Sequence, residues 1–319
     1  MYRLPKPRTA LAALAAGTLL LSGCSSESPV ENTDDGGEIE TIGLMVQDLS
    51  NPFFSAMQAG VENAAEDMGA EVVTEDGRQD LGAQNEQIDA FIQQQIDVLL
   101  INPVDSEGIG PAVQRALDAG ITVVAVDVTA KNAEAFITSD NVQAGRLACE
   151  HLFESIGGEG RILIIDGTPI SSVQDRVQGC EEVMKDYPDI KVAGHQHGDN
   201  NREEALTVAT DMLTANSDVD GIFAINDPTA LGANLAAEQT GTEDLVIVGV
   251  DGSPAAEKEL GNSDSMFQAT AAQAPKQLGV QGLDMATKLF NGEQLEDKKR
   301  LVETELITRD NLDEYEGWE

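Results

Sequence analysis

From Thr41 nearly to its C-terminus, the chain alternates apolar strand-like runs with amphipathic stretches, and no other feature restricts the fold as much. The runs Ile42–Val46, Glu71–Thr74, Val98–Ile101, Thr122–Val126, Ala135–Thr138, Arg161–Ile165, Lys191–Gly194, Gly221–Ile225, Leu245–Val250 and Met266–Ala269 read as strands. Helical periodicity fills most of the gaps, over Phe53–Met68, Gln84–Gln95, Gly108–Ala119, Asn141–Ser155, Ser172–Tyr187, Arg202–Ala215, Thr229–Gln239 and Pro275–Phe290. Such alternation predicts α/β architecture: parallel sheets with helices on both faces.

The pattern occurs twice. Val98-Leu99-Leu100-Ile101 ends in Asn102, and Ile222-Phe223-Ala224-Ile225 ends in Asn226. Val123 to Val126 ends in Asp127, and Val246 to Val250 ends in Asp251; each Asn and its Asp are 25 residues apart. The chain therefore reads as two similar Rossmann-like lobes, each with an Asn and an Asp at the carboxyl ends of neighbouring strands. Any one of these residues could be a helix N-cap. Four at matched spacing favour a site, because ligands of open α/β sheets bind beyond the carboxyl ends of strands. Gln47 to Phe54 follows the first strand at such a place, with Pro52 suited to the first turn of a helix. Phe54 is in phase with the Met57–Val61 apolar stripe and could be core. Phe53 is off that stripe and is the better candidate for a ligand face.

Charge narrows the partners. With 57 acidic against 19 basic residues the net charge is −38, a surface that repels nucleic acid and anionic ligands. It suits a high-salt medium, where self-repulsion is screened. The apolar fraction of 41% still allows a core, so this is not a disordered acidic chain.

The first residues read as a processing segment. Arg3, Lys6 and Arg8 precede an Ala/Leu-rich stretch from Thr9 to Ser22, shorter than the roughly 20 residues of a membrane span. It ends Leu21-Ser22-Gly23-Cys24, which resembles a bacterial lipoprotein signal and implies a lipid on Cys24. The protein is then expected to be exported and held at the outer face of the cytoplasmic membrane. The polar stretch that follows reads as a flexible tether over 24–39.

The matched pieces Asn51-Pro52-Phe53-Phe54, Ile101-Asn102-Pro103, Val126-Asp127, Ser139-Asp140-Asn141, Asp175-Arg176-Val177-Gln178-Gly179, Asn226-Asp227, Gly249-Val250-Asp251-Gly252 and Ala272-Gln273 carry a resemblance. From Thr41 to about Glu305 the chain resembles the periplasmic sugar-binding proteins of the ribose-binding type, which feed ABC transporters. The resemblance implies the type I periplasmic binding protein fold, two lobes joined by a three-strand hinge and closing over one sugar. It divides the chain into a signal (1–23), the tether, an N-terminal lobe (40–139 plus 273–300) and a C-terminal lobe (140–272 plus 301–319). The last residues are expected on or near the second lobe.

Carried over residue by residue, Phe53 and Phe54 would pack against the sugar ring. Asn51, Asn102, Asp127, Ser139, Arg176, Asn226, Asp251 and Gln273 would bond its hydroxyls. The chemistry is consistent with this: carboxylates accept, Arg donates, and Asn and Gln do both. Arg176 would also offset the repulsion between two acids in one dry pocket. Three positions depart from the ribose-type pattern. Val128 replaces an Arg, Asn200 replaces an aromatic, and Gln47 replaces a small hydroxyl residue. Gln47 and Asn200 could add polar contacts, and the ligand expected is a neutral monosaccharide or polyol other than ribose. The implied partner is an ABC permease, with the protein acting as a monomer and with no cofactor and no nucleic acid.

Other constellations are weaker. Cys149 and Cys180 fall in predicted helices of the second lobe; a disulfide and two small buried thiols both remain open. His195 and His197 alternate on one strand face and read as surface residues, too few for a metal site. A hydrolase using Asp127 and Asp251 is opposed by Arg176, which would keep both acids ionised. A two-lobed DNA-binding repressor is opposed by export and acidity. A sensor presenting the sugar to a membrane receptor is the alternative to transport, and sequence alone does not separate the two.

Overall fold

Short Val-, Ile- and Leu-rich runs, buried on both faces, form the central strands of two sheets in the computed structural model, which describes residues 37–318. The signal, Cys24 and most of the expected tether lie outside the described residues. The first lobe runs β1 (Thr41–Val46), α1 (Pro52–Met68), β2 (Glu71–Asp76), α2 (Leu81–Gln94), β3 (Val98–Ile101), α3 (Gly110–Asp118), β4 (Thr122–Val126) and β5 (Ala135–Ser139). The second runs α4 (Asn141–Ser155), β6 (Glu159–Asp166), α5 (Ser171–Met184), β7 (Asp189–His197), α6 (Arg202–Ala215), β8 (Gly221–Ala224), α7 (Asp227–Thr240), β9 (Val246–Asp251), α8 (Pro254–Leu260) and β10 (Phe267–Ala272). The chain then returns through α9 (Pro275–Phe290), β11 (Lys299–Val302) and β12 (Glu305–Thr308).

The sheets have the orders β11-β5-β4-β3-β1-β2 and β12-β10-β9-β8-β6-β7. All pairings in the first are parallel, and in the second only β12 against β10 is antiparallel. Each sheet is a two-sided layer, as its unbroken apolar strands require. One face of the first packs on α1 and α9 around Met57, Val61 and Leu283, and the other on α2 and α3 around Ile88, Phe91 and Val113. The faces of the second bury Phe153 with Cys180, and Met212 with Phe267.

The lobes are joined where β5 enters α4, where β10 enters α9 and where β11 enters β12. Val302 pairs with Ser139, and Glu305 with Ala272, only three residues further along the connector. The connector is parallel to β5 and antiparallel to β10, so the two sheets direct their carboxyl ends toward each other. Gln143 of α4 braces this crossing, its Oε1 accepting from Thr304 N at 2.8 Å and Thr304 Oγ1 at 3.0 Å.

Several details differ from the sequence reading. Leu301 and Val302 pair with the first sheet, so the last crossing lies beyond the expected boundary at 301. The last residues lie on the second lobe as expected, with Leu312 and Tyr315 packed against its core, but the Trp318 ring crosses to the first lobe's core cluster, where Phe53 gives it an apolar partner. Helix α8 was not expected; Ser253 caps it, accepting from Ala256 N at 3.1 Å. Cys149 and Cys180 form a disulfide with Cα atoms 5.2 Å apart, tying α4 to α5. These helices meet backbone to backbone at Gly145 and Gly179, where any Cβ would strike the partner helix. His195 and His197 are exposed, and both engage Asp166: His195 Nε2 lies 2.7 Å from Oδ2, and His197 Nδ1 contacts Oδ1.

Candidate functional site

The facing strand ends enclose a cavity of about 580 Å³, within the roughly 300–1,000 Å³ span of small-molecule pockets. The first lobe contributes Gln47, Asn51, Phe53, Phe54 and Asp127 to its wall, and the second contributes Arg176, Asn200, Asn226 and Asp251. Gln273, at the β10–α9 crossing, completes it.

Local rules place these side chains. Asn51 caps α1, its Oδ1 accepting from Phe53 N at 3.0 Å, and Pro52 occupies the first turn. That cap sets where Phe53 and Phe54 emerge. Both line the cleft, both are buried, and their rings meet edge to face with centroids 5.4 Å apart. Asn226 likewise caps α7, accepting from Thr229 N at 2.9 Å, while its Nδ2 donates to Asn200 O.

The two aspartates are not caps. Asp127 follows β4 with φ +70°, and Asp251 ends β9 with φ +136°. Non-glycine residues in such conformations cost on the order of 1–3 kcal/mol and concentrate at functional sites. Asp251 Oδ1 accepts from Gln273 Nε2 at 2.8 Å and lies 3.5 Å from Arg176 Nη1. Arg176 is itself fixed, donating from Nε to Asn141 Oδ1 at 2.8 Å and from Nη1 to Ile225 O at 2.9 Å. Burial pushes the Asp251 carboxyl up to about 8 against the pull of Arg176, with buried Asp227 adding to the rise. Burial likewise pushes Asp127 up to about 6, opposed by Arg176 and by the Asn102 hydrogen bond. A ligand that donates hydroxyls to these carboxylates replaces part of the water they have lost.

Two further wall residues hold buried side-chain atoms without a hydrogen-bond partner among the described residues, Gln47 at Nε2 and Gln273 at Oε1. Asn200 instead turns its amide to its own loop, Nδ2 donating to Thr168 Oγ1 at 2.8 Å and Oδ1 lying against Gly167. The cleft thus presents a free amide donor and a free amide acceptor between two carboxylates, one guanidinium and two rings. The expectation that Arg176 keeps both acids ionised does not hold: burial outweighs the cation and raises both carboxyls.

Asn102 and Ser139 are not on the wall. Asn102 is fully buried beneath Asp127, its Nδ2 donating to Asp127 Oδ2 at 2.8 Å and to Val126 O at 2.9 Å. Ser139 is buried at the β5–α4 crossing. Val128 points out of the cleft and packs among apolar residues of the second lobe.

Two supporting residues escaped the sequence reading. Asp227 is fully buried and accepts from Ser253 N at 2.7 Å and Thr270 Oγ1 at 2.6 Å, ordering the loop that follows Asp251. Asn141 orients Arg176 while donating to Thr138 Oγ1 and Ser139 O. Both lie inside pieces that carry the resemblance, Asn226-Asp227 and Ser139-Asp140-Asn141, which imply no role for either.

Comparison with known proteins gives this geometry a family. The model of the periplasmic binding protein domain matches residues 42–294. The ribose import binding protein of Bacillus subtilis is 32% identical over 289 residues, covering 89% of this chain and 93% of that protein. Among solved structures, an ABC transporter solute-binding protein of Actinobacillus succinogenes with bound D-allose superposes with TM-score 0.80 at 28% identity, covering 86% of this chain and 100% of that one. One of Bacillus halodurans with bound myo-inositol gives TM-score 0.80 at 28% identity, covering 87% and 97%. The two facing α/β lobes, the three crossings and the cleft between the strand ends therefore belong to a known lineage: the chain is a member of the periplasmic binding protein family, of the ribose-binding type.

Proposed function

We propose that the chain captures a neutral monosaccharide or polyol between its lobes and delivers it to an ABC importer. The family is extracytoplasmic and consists of solute-binding transport proteins rather than enzymes. The observation that carries the reading is the pair of strained strand-end carboxylates, Asp127 and Asp251, on opposite walls of one cleft with Arg176 fixed beside them. Polyhydroxy ligands suit such a wall, because each hydroxyl both donates and accepts. Phe53 and Phe54 supply apolar surface for the C–H faces of a ring. The proposed contacts are Gln47, Asn51, Phe53, Phe54, Asp127, Arg176, Asn200, Asn226, Asp251 and Gln273, with Asn102 and Ser139 acting from behind the wall. Lipid on Cys24 would tether the mature chain to the outer face of the membrane.

A thermal-shift panel of pentoses, hexoses, polyols and amino acids, run on the mature chain in low and high salt, tests this. A ligand at 100 times its Kd adds about 2.7 kcal/mol. The expected result is stabilisation by one neutral sugar or polyol, abolished in D251A. Stabilisation by amino acids alone, or by nothing in either salt, would overturn the sugar assignment.

A further inference from the structure

We propose that the C-terminal tail belongs to the capture machinery: Trp318, braced between Phe53 of the first lobe and the Asp251 backbone of the second, is a positioning residue that sets ligand affinity without touching ligand. The proposal rests on the reading of the cleft as the ligand site.

Trp318 is buried in the first lobe's core cluster and meets Phe53 edge to face, centroids 5.7 Å apart and planes at 86°. Phe53 presents itself to the cleft and Trp318 does not, so the indole backs a wall residue. From the same position Trp318 Nε1 donates to Asp251 O at 2.8 Å. That carbonyl also accepts from Gln273 N at 2.9 Å. Three residues earlier, Tyr315 Oη donates to Gly252 O at 2.7 Å. The tail therefore grips two successive carbonyls where the backbone is left-handed, at φ +136° and +72°.

Two independent contacts meet on one side chain. One fixes an aromatic wall from behind, and the other holds a strained residue whose carboxylate faces the same cleft from the opposite lobe. Backbone in this region persists only when its surroundings over-determine it. Relaxation of Asp251 would carry its carboxylate away from Arg176 and Gln273. Losing the indole N–H should thus cost affinity even where the fold is kept.

The test uses the mature full chain with W318F and Y315F, each of which removes one tail hydrogen bond and keeps a ring. The probes are D-ribose, D-allose, xylitol and myo-inositol, with Kd read by calorimetry well below the melting transition. The expected result is a Kd weakened about fivefold to tenfold in W318F, a smaller loss in Y315F, and ligand-free melting close to wild type. Unchanged affinity in W318F, with or without lower ligand-free melting, would make Trp318 a packing residue and overturn the proposal alone. If the wild type binds none of the four, the probe is the sugar or polyol that stabilises it in the wider panel; a wild type that binds none of that panel overturns the sugar reading, and the tail's role falls with it.

Discussion

Strand for strand the two lobes correspond, β1 to β5 and β11 matching β6 to β10 and β12 in the same spatial order. Yet equivalent residues serve different ends. Asn226 caps a helix that begins at once, and it reaches the cleft. Its counterpart Asn102 starts no helix and lies underneath, donating to Asp127. The first lobe brings both phenylalanines, whereas the second brings the cation and a disulfide behind it. The strand ends match, but the chemistry around them differs: the first lobe sets two rings beside its aspartate, the second a guanidinium beside its own.

The sharpest way to break this comparison is to neutralise the two aspartates separately. Assayed above about pH 8, where the Asp251 carboxyl is ionised, D251N should weaken sugar binding by about 3 kcal/mol, the cost of losing a buried, charge-assisted partner. D127N should cost less, because Asn102 rather than an arginine is its direct partner. Calorimetry on both variants checks the order, and equal losses would deny the asymmetry.

The disulfide ranks next. Reduction, or C149S with C180S, should remove about 3–4 kcal/mol of stability in the chain-entropy model for a 31-residue separation. The loss should fall on the second lobe, as seen in hydrogen exchange of α4 and α5 with the first sheet unaffected.

Acidity offers a third test. Burial pushes both carboxyls above their ordinary value of 3.8, Asp127 up to about 6 and Asp251 up to about 8, the latter with the neighbouring Asp227 adding to the rise. For acids raised in this way, the protonated form favours folding. Their contribution is fully present below about pH 4 and is lost as pH climbs through 6 and then 8. Ligand-free melting should therefore fall across this window; D127N should lessen the slope only between about pH 4 and 6, where buried Asp227 titrates too, and D251N should lessen it from about pH 4 to 8. The smallest effects concern the two asparagines. N226A removes a cap and should cost about 1 kcal/mol of stability. N102A should chiefly raise the apparent pKa of Asp127, visible by NMR titration.

Much of the plan could be read from the chain because buried parallel strands leave an unmistakable apolar rhythm, and because Asn102–Asp127 and Asn226–Asp251 repeat one interval. The wall residues followed from strand ends and from the resemblance. What escaped depends on where side chains turn. Nothing in Asn102 tells that it points to Asp127 rather than into the cleft, and nothing in Val128 tells that it leaves the first lobe for the second. Asp227 has no mark of its buried role in sequence, since Asn-Asp-Pro is a helix start by any local rule. Trp318 lies 67 residues from its partner Asp251, and no periodicity links them.

The sheet orders carry one more consequence. With β11 and β12 along one edge and β2 and β7 along the other, the molecule is bound like a book, its spine at the crossings and its fore-edges far from them. Near those fore-edges the acidic side chains outnumber the basic: Asp48 stands on one side, and Asp199 and Glu203 with a single Arg202 on the other, all on the cleft. Repulsion between them pushes the pages apart and weakens as ions gather, over a screening distance of about 8 Å at physiological salt. Brine would then act on this protein as a bookend, and scattering from the ligand-free chain should show a smaller radius of gyration as salt is raised.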